Sequence, residues 1–412
     1  MDLSSYFLNE VVPAFGCTEP IALAFTAARA REVLGCFPEE LWIRCSGNMI
    51  KNAKSVVIPN SGGKKGIEYS ALLGMLVGNS EKNLEILESV TPEQIKEAEK
   101  LYQSGMCHVD FVPKVPNLYI EAEVRAQGHR ALVAVKNSHT HIVKIEKDGK
   151  SLFFIPESAE EENTFTADFE EIEAYAREGN IDLLRPVVEK EISYNMAIAK
   201  EGMTHSWGSN IGKMILAEGE DFGRRKQAYA AAGSDARMSG CSLPVMINSG
   251  SGNQGITLSV PLILEAEAIQ ADKESLVRAL VFANLIGLYL KSGIGKLSAY
   301  CGAMSAASAG AAGIAFLHGE DTEVIRGTLT NALASLSGVI CDGAKPSCAM
   351  KIGMAVGTGE IAYRQAKQGN TFHGGDGIVK NDIDDTIHTV AVIARDGMKE
   401  TDNVILKEML KS

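Results

Sequence analysis

The chain has 412 residues, 45% of them hydrophobic and 22% charged, and a net charge of −12. That length is enough for two or three domains around a large core, and the acidic balance without a basic block excludes nucleic acid as a main partner. The eight cysteines (17, 36, 45, 107, 241, 301, 341 and 348) lack the dense spacing of a disulfide scaffold. With an N-terminus that has no basic n-region, they predict a reducing, cytoplasmic setting.

In chain order, residues 4–35 read as a helical pair broken at Phe15-Gly-Cys-Thr-Glu-Pro20. Thr18 suits an N-cap, Glu19 the positive helix end and Pro20 a first turn, so Cys17 sits just before a helix start. That position is expected to lower its pKa. Residues 41–59 alternate like a strand and turn at Pro59-Asn-Ser-Gly-Gly63; within them Asn48, Lys51 and Asn52 could face a polar ligand. Helices are expected near 67–78 and 92–104.

Residues 108–155 hold short runs rich in Val and Ile, separated by turns such as Asp148-Gly149, and predict antiparallel strands. There His139, His141, Val143 and Ile145 would share one strand face, with the two histidines as candidate proton carriers or substrate ligands. An acidic link, Glu157 to Glu162, marks the expected boundary between an α+β lobe (1–160) and an all-helical lobe (165–412).

In the second half, Lys200 to Asn210 reads as a loop, and Ala232-Gly-Ser-Asp-Ala-Arg-Met-Ser-Gly240 as an acid and a base beside flexible turns. The run Asn248, Ser249, Gly250, Ser251, Gly252, Asn253, followed by a helix from Ile256, resembles an anion cradle suited to a carboxylate. Further helices are expected near 211–218, 221–233, 257–271, 273–291, 297–317, 321–337, 348–367 and 382–395. The uncharged run Leu297 to Leu317 is mostly Ala, Gly and Ser, so it reads as a closely packed core helix and the chain as one without a membrane span.

Cys341 and Cys348 flank a loop containing Asp342, Gly343, Lys345 and Pro346, and Cys301 stands upstream. Buried cysteines often only fill space. Two thiols on a tight loop between helices could also hold a soft metal, and three thiolates suit an iron–sulfur cluster with one iron left open.

Cys341-Asp-Gly-Ala-Lys-Pro-Ser-Cys348, Ser298-Ala-Tyr-Cys301, Asn248-Ser-Gly-Ser-Gly-Asn-Gln-Gly255 and Phe15-Gly-Cys-Thr-Glu-Pro20 together resemble the L-cysteine desulfidase family, a relative of the iron–sulfur L-serine dehydratase alpha chains. In those dehydratases the gap between the last two motif cysteines is longer. The resemblance implies a [4Fe-4S] cluster on Cys301, Cys341 and Cys348, with Cys17 as either the displaceable fourth ligand or the base. It implies elimination of HS⁻ from L-cysteine to give pyruvate and ammonia. L-serine dehydration and a cluster-free binding protein are the alternatives. Glu19, His139 and His141 are the other candidate bases, and a pyridoxal-phosphate lyase is disfavoured because no lysine stands in a convincing context. The expected partners are a small amino-acid substrate and, through residual apolar helix faces, a second copy in a homodimer.

Overall fold

The computed structural model describes residues 2–156, 165–219 and 221–411, so the acidic link at 157–162 lies outside the described residues. The fold is α+β, with the larger sheet in the N-terminal part and helices dominating the rest. In the first part come α1 (Leu3–Glu10), β1 (Pro13–Phe15), α2 (Thr18–Leu34), β2 (Glu40–Cys45), α3 (Gly47–Ala53), α4 (Ile67–Val77) and α5 (Pro92–Gln103). Strands β3 (Cys107–Phe111), β4 (Tyr119–Ala126), β5 (His129–Lys136), β6 (Ile142–Lys147) and β7 (Lys150–Phe154) follow.

The six-stranded sheet has the order β3-β2-β4-β5-β6-β7. Alternation along β4 and β5 buries Ile120, Ala122 and Val124 beside Ala131, Val133 and Val135, and α2 packs on both strands. All neighbours are antiparallel except β2 and β3, paired in parallel with Leu41 opposite Cys107. Parallel neighbours need a long crossover, which α3, α4 and α5 supply.

The strand expected over 41–59 stops at Cys45. The Ser46 side chain accepts from Met49 N and opens α3, which carries Asn48, Lys51 and Asn52 on a helix instead.

The second part comprises α6 (Phe169–Glu178), α7 (Arg185–Thr204), α8 (Ile211–Ala217), α9 (Phe222–Met238), β8 (Pro244–Met246), α10 (Gly252–Ala268) and α11 (Lys273–Ser292). It ends with α12 (Gly302–Leu317), α13 (Thr322–Leu336), α14 (Cys348–Lys367), α15 (Ile383–Val392) and α16 (Lys399–Met409). The Ala/Gly/Ser helix α12 is central, packed against α10, α11, α13 and α14. Small residues set these approaches: a Cβ at Gly313 would lie 2.8 Å from Ala283 Cβ, and one at Gly310 3.0 Å from the Leu258 carbonyl. Helix α11 is long and apolar enough to cross a membrane by composition, but 72% of that stretch is buried inside the fold.

Two departures from the sequence expectation concern the site. Residues 232–238 are the last turns of α9, not flexible turns. Their small residues meet other helices closely, as where a Cβ on Gly202 of α7 would lie 2.1 Å from the Ala232 carbonyl. Residues 200–204 likewise complete α7, leaving the loop to 205–210.

The helical part also contains a strand. β8 pairs antiparallel with β1, Ala14 opposite Val245, and this short ribbon brings Cys17 to the helical part. One continuous apolar core runs from Ile21 and Phe25 to Leu258 and Met304.

Candidate active site

Four helix N-termini meet at one cavity of about 90 Å³. Cys17 is the N-cap of α2, Ser251 of α10 and Cys301 of α12, while Cys348 is the first residue of α14. None of these four ends has a side-chain cap. Elsewhere Asp168, Asp221, Asp272 and Asp321 close α6, α9, α11 and α13 in the usual way. Uncapped ends leave backbone N–H groups and partial positive charge for whatever occupies the cavity.

All four motif cysteines line it. Residues 299–301 and 339–341 run antiparallel, with Cys301 N donating to Val339 O (3.0 Å) and Cys341 N to Ala299 O (2.6 Å). This pairing puts the Cys301 and Cys341 side chains in hydrogen-bonding contact. Gly343, at φ +98°, turns the loop against Lys51, whose carbonyl would lie 2.3 Å from any Cβ there. Cys17 and Cys348 share a small apolar cluster with Val56, Met238 and Ala344.

The hydrogen bond from Cys301 holds Cys341 down to about 6, against the opposing effect of burial and with help from Lys51. The same contact pushes Cys301 well up, and burial raises Cys348. Cys17 departs from the sequence expectation: its thiol is pushed well above 9, because full burial and the Glu19 carboxylate outweigh the helix end. Its Sγ donates to Glu19 Oε2 at 3.2 Å.

A match to the family model described as serine dehydratase alpha chain covers residues 81–407. A UPF0597 protein of Lachnoclostridium phytofermentans is 46% identical over 407 residues, spanning 97% of each chain, and one of Finegoldia magna is 44% identical over 98% of each. One of Treponema denticola is 42% identical, covering 98% of this chain and 96% of the relative. The chain belongs to the serine dehydratase alpha-chain family.

Within this family member the other sequence candidates are placed as follows. Thr18 Oγ1 donates to Gly250 O (2.9 Å), tying the α2 start to the glycine loop. Gly250, Ser251 and Asn253 line the cavity, and α10 begins at Gly252 rather than Ile256. Asn248 and Ser249 are buried behind the loop, where Asn248 Nδ2 donates to Asn284 Oδ1 (3.0 Å) and Asn284 Nδ2 to Glu191 Oε2 (2.8 Å).

Asn52 lines the cavity, but Asn48 and Lys51 turn to Asp402 of α16, and Lys51 Nζ also donates to Cys341 O (3.1 Å) and Ser298 O (3.3 Å). The histidines do not share a strand face, because β5 ends at Lys136 and His139 sits in the turn before β6. His139 is buried against Gly250, with its pKa lowered to about 4 by burial; His141 is exposed beside the Lys136 carbonyl.

Of the two cations at the site, Arg237 is the base read from sequence beside Asp235, whereas Lys291 was not singled out. Arg237, 3% exposed in the last turn of α9, and Lys291, 2% exposed in α11, both line the cavity. Burial lowers Lys291 to about 8, opposed by Cys341 and Cys301. It is therefore a lysine in chemical context, contrary to the expectation that none exists.

The donor set has the chemistry of a soft centre. Among the described residues no three His, Cys, Asp or Glu side chains gather closely enough for one metal ion. The four thiols line the same cavity, and thiolate donors suit soft centres, zinc and iron–sulfur clusters alike.

Proposed function

We propose that this chain is an iron–sulfur lyase that eliminates HS⁻ from L-cysteine, yielding pyruvate, ammonia and hydrogen sulfide. The observation that carries this reading is the convergence on one cavity of Cys17, Cys301 and Cys348 at uncapped helix ends and of Cys341 from the loop before α14. Cys301, Cys341 and Cys348 would hold a [4Fe-4S] cluster, with Lys291 and Lys51 balancing its charge. When bound, the cluster supplies an open iron as Lewis acid toward the β-substituent.

The protein's own groups do the rest. The glycine loop and Asn52 orient the substrate. The Cys17–Glu19 pair accepts the Cα proton, either at Glu19 or at Cys17 after Glu19 takes the thiol proton. The Cα–H electrons form the Cα=Cβ bond as the Cβ–S bond breaks and HS⁻ departs. The aminoacrylate released then tautomerises and hydrolyses to pyruvate and ammonia.

The family match also supports a second reading, the same elimination on L-serine with water as the leaving group. Anaerobic reconstitution followed by iron, sulfide and pyruvate analysis on both substrates tests the two. A chain that takes up no iron and forms no pyruvate is the cluster-free binding protein instead. A 400 nm band that persists without iron and disappears in Lys291→Ala would favour a pyridoxal-phosphate lyase.

The reading also places the protein in a reducing cytoplasm. Met350, Met354 and Ile361 form an exposed apolar stripe on α14 that a second copy would cover in a homodimer, which sedimentation tests.

A further inference from the structure

Buried charge in this protein is compensated by the rule that unpaired interior charge is costly. Lys226 lies between Glu265 and Glu360, Lys51 meets Asp402, and Lys296 meets Glu10. Arg237 is an exception. It forms no ion pair among the described residues, and its one hydrogen bond is from Nη1 to the neutral Asn253 Oδ1 at 3.2 Å. Its Nε is buried without any partner.

Glu19 is the carboxylate on the same cavity, but it is engaged by the Cys17 thiol and stands outside ion-pair distance of Arg237. The backbone has been cleared for the guanidinium: a Cβ on Gly252 would lie 2.4 Å from Arg237 Nε. Gly252 is also the first residue of α10, whose N-terminus has no side-chain cap. Arg237 and the open start of α10 therefore adjoin one another on the wall of the cavity that the thiols also line. That combination matches a planar carboxylate in charge and in geometry.

We infer that Arg237, with the open start of α10, is the anchor for the α-carboxylate of an amino-acid substrate, and so restricts the enzyme to substrates with a free carboxylate. This rests on the elimination reading for the identity of the substrate, but not for the existence of the anion site. Lys291 stands next to Cys301 and Cys341, so the two cations, neither in an ion pair among the described residues, serve different anions: Lys291 the thiol group and Arg237 the substrate.

The test is binding of L-serine and its amide, L-serinamide, to the full chain by calorimetry, both cluster-free and reconstituted. The wild type should bind L-serine at least tenfold tighter than the amide. Arg237→Gln should bring the two ligands to within about twofold of each other. Gly252→Ala keeps the arginine but crowds it, and should weaken L-serine selectively; it carries the test if Arg237→Gln does not fold.

The inference is overturned if a folded Arg237→Gln still prefers L-serine tenfold, or if the wild type in both forms fails to distinguish acid from amide. A chain that binds no iron yet keeps the Arg237-dependent preference would overturn the elimination reading alone.

Discussion

Replacing Asp402 by alanine strips a buried cation of its only carboxylate among the described residues. Lys51 is 1% exposed, and its ammonium holds three partners: Asp402, Ser298 O at 3.3 Å and Cys341 O at 3.1 Å. Removing one partner of a buried pair costs about 3–5 kcal/mol, since the remaining charge is left uncompensated. The Asp402 side chain is 12% exposed, so water can reach the vacated site and the lower end, about 3 kcal/mol, is expected. The two carbonyls belong to the segments that carry Cys301 and Cys341, so the loss should reach the sulfurs. Urea unfolding of the cluster-free chain measures the first effect, and the rate of iron loss to a chelator from the reconstituted chain measures the second. Lys51→Met combined with Asp402→Leu removes both charges and should recover most of the stability. A loss under about 1 kcal/mol in Asp402→Ala, or a double variant as unstable as the single one, would refute this account of the lock.

Burial raises Glu191 to about 8 from its ordinary 4.5. The native state therefore keeps a proton that the unfolded chain has released over that interval, and stability falls as pH rises. The slope is roughly 1.4 kcal/mol per pH unit, fully regained below the unfolded value and lost through the folded one. Glu191→Gln should flatten the urea stability profile between pH 5.5 and 7.5, and an unchanged slope would contradict the assignment. Gly343→Ala meets both a positive φ and the Lys51 carbonyl, and should destabilise by about 1–3 kcal/mol with faster iron loss. Cys341→Ser should lose iron and pyruvate formation together, whereas Cys17→Ser should keep most iron and lose turnover; equal iron loss in both would make Cys17 a structural ligand.

Periodicity made β4, β5 and the long helices legible, and the family resemblance joined Cys17 to Cys301, Cys341 and Cys348 as one set. The remainder was hidden for physical reasons. Arg237 lies in a stretch of Ala, Gly and Ser that suggests turns, yet small residues there let α9 approach its neighbours closely. Lys291 stands in the last turn of α11, after a mainly apolar stretch, and only packing decides that this turn reaches the cavity of the thiols. β1 and β8 have three residues each, too few to show a period. The effect of the α2 start on Cys17 was sound as local chemistry, but burial and Glu19 reverse it. Asp402 escaped notice because its meaning comes from a partner 351 residues away.

That separation gives the site a timetable. At synthesis rates of about 5–20 residues per second, Lys51 waits roughly 20–70 s for Asp402 to be made. Cys17 likewise waits for β8 before its ribbon can close. Until then the cysteines ride on an unfinished chain as separate thiols, open to oxidation or to stray metal, and no four-sulfur chamber exists.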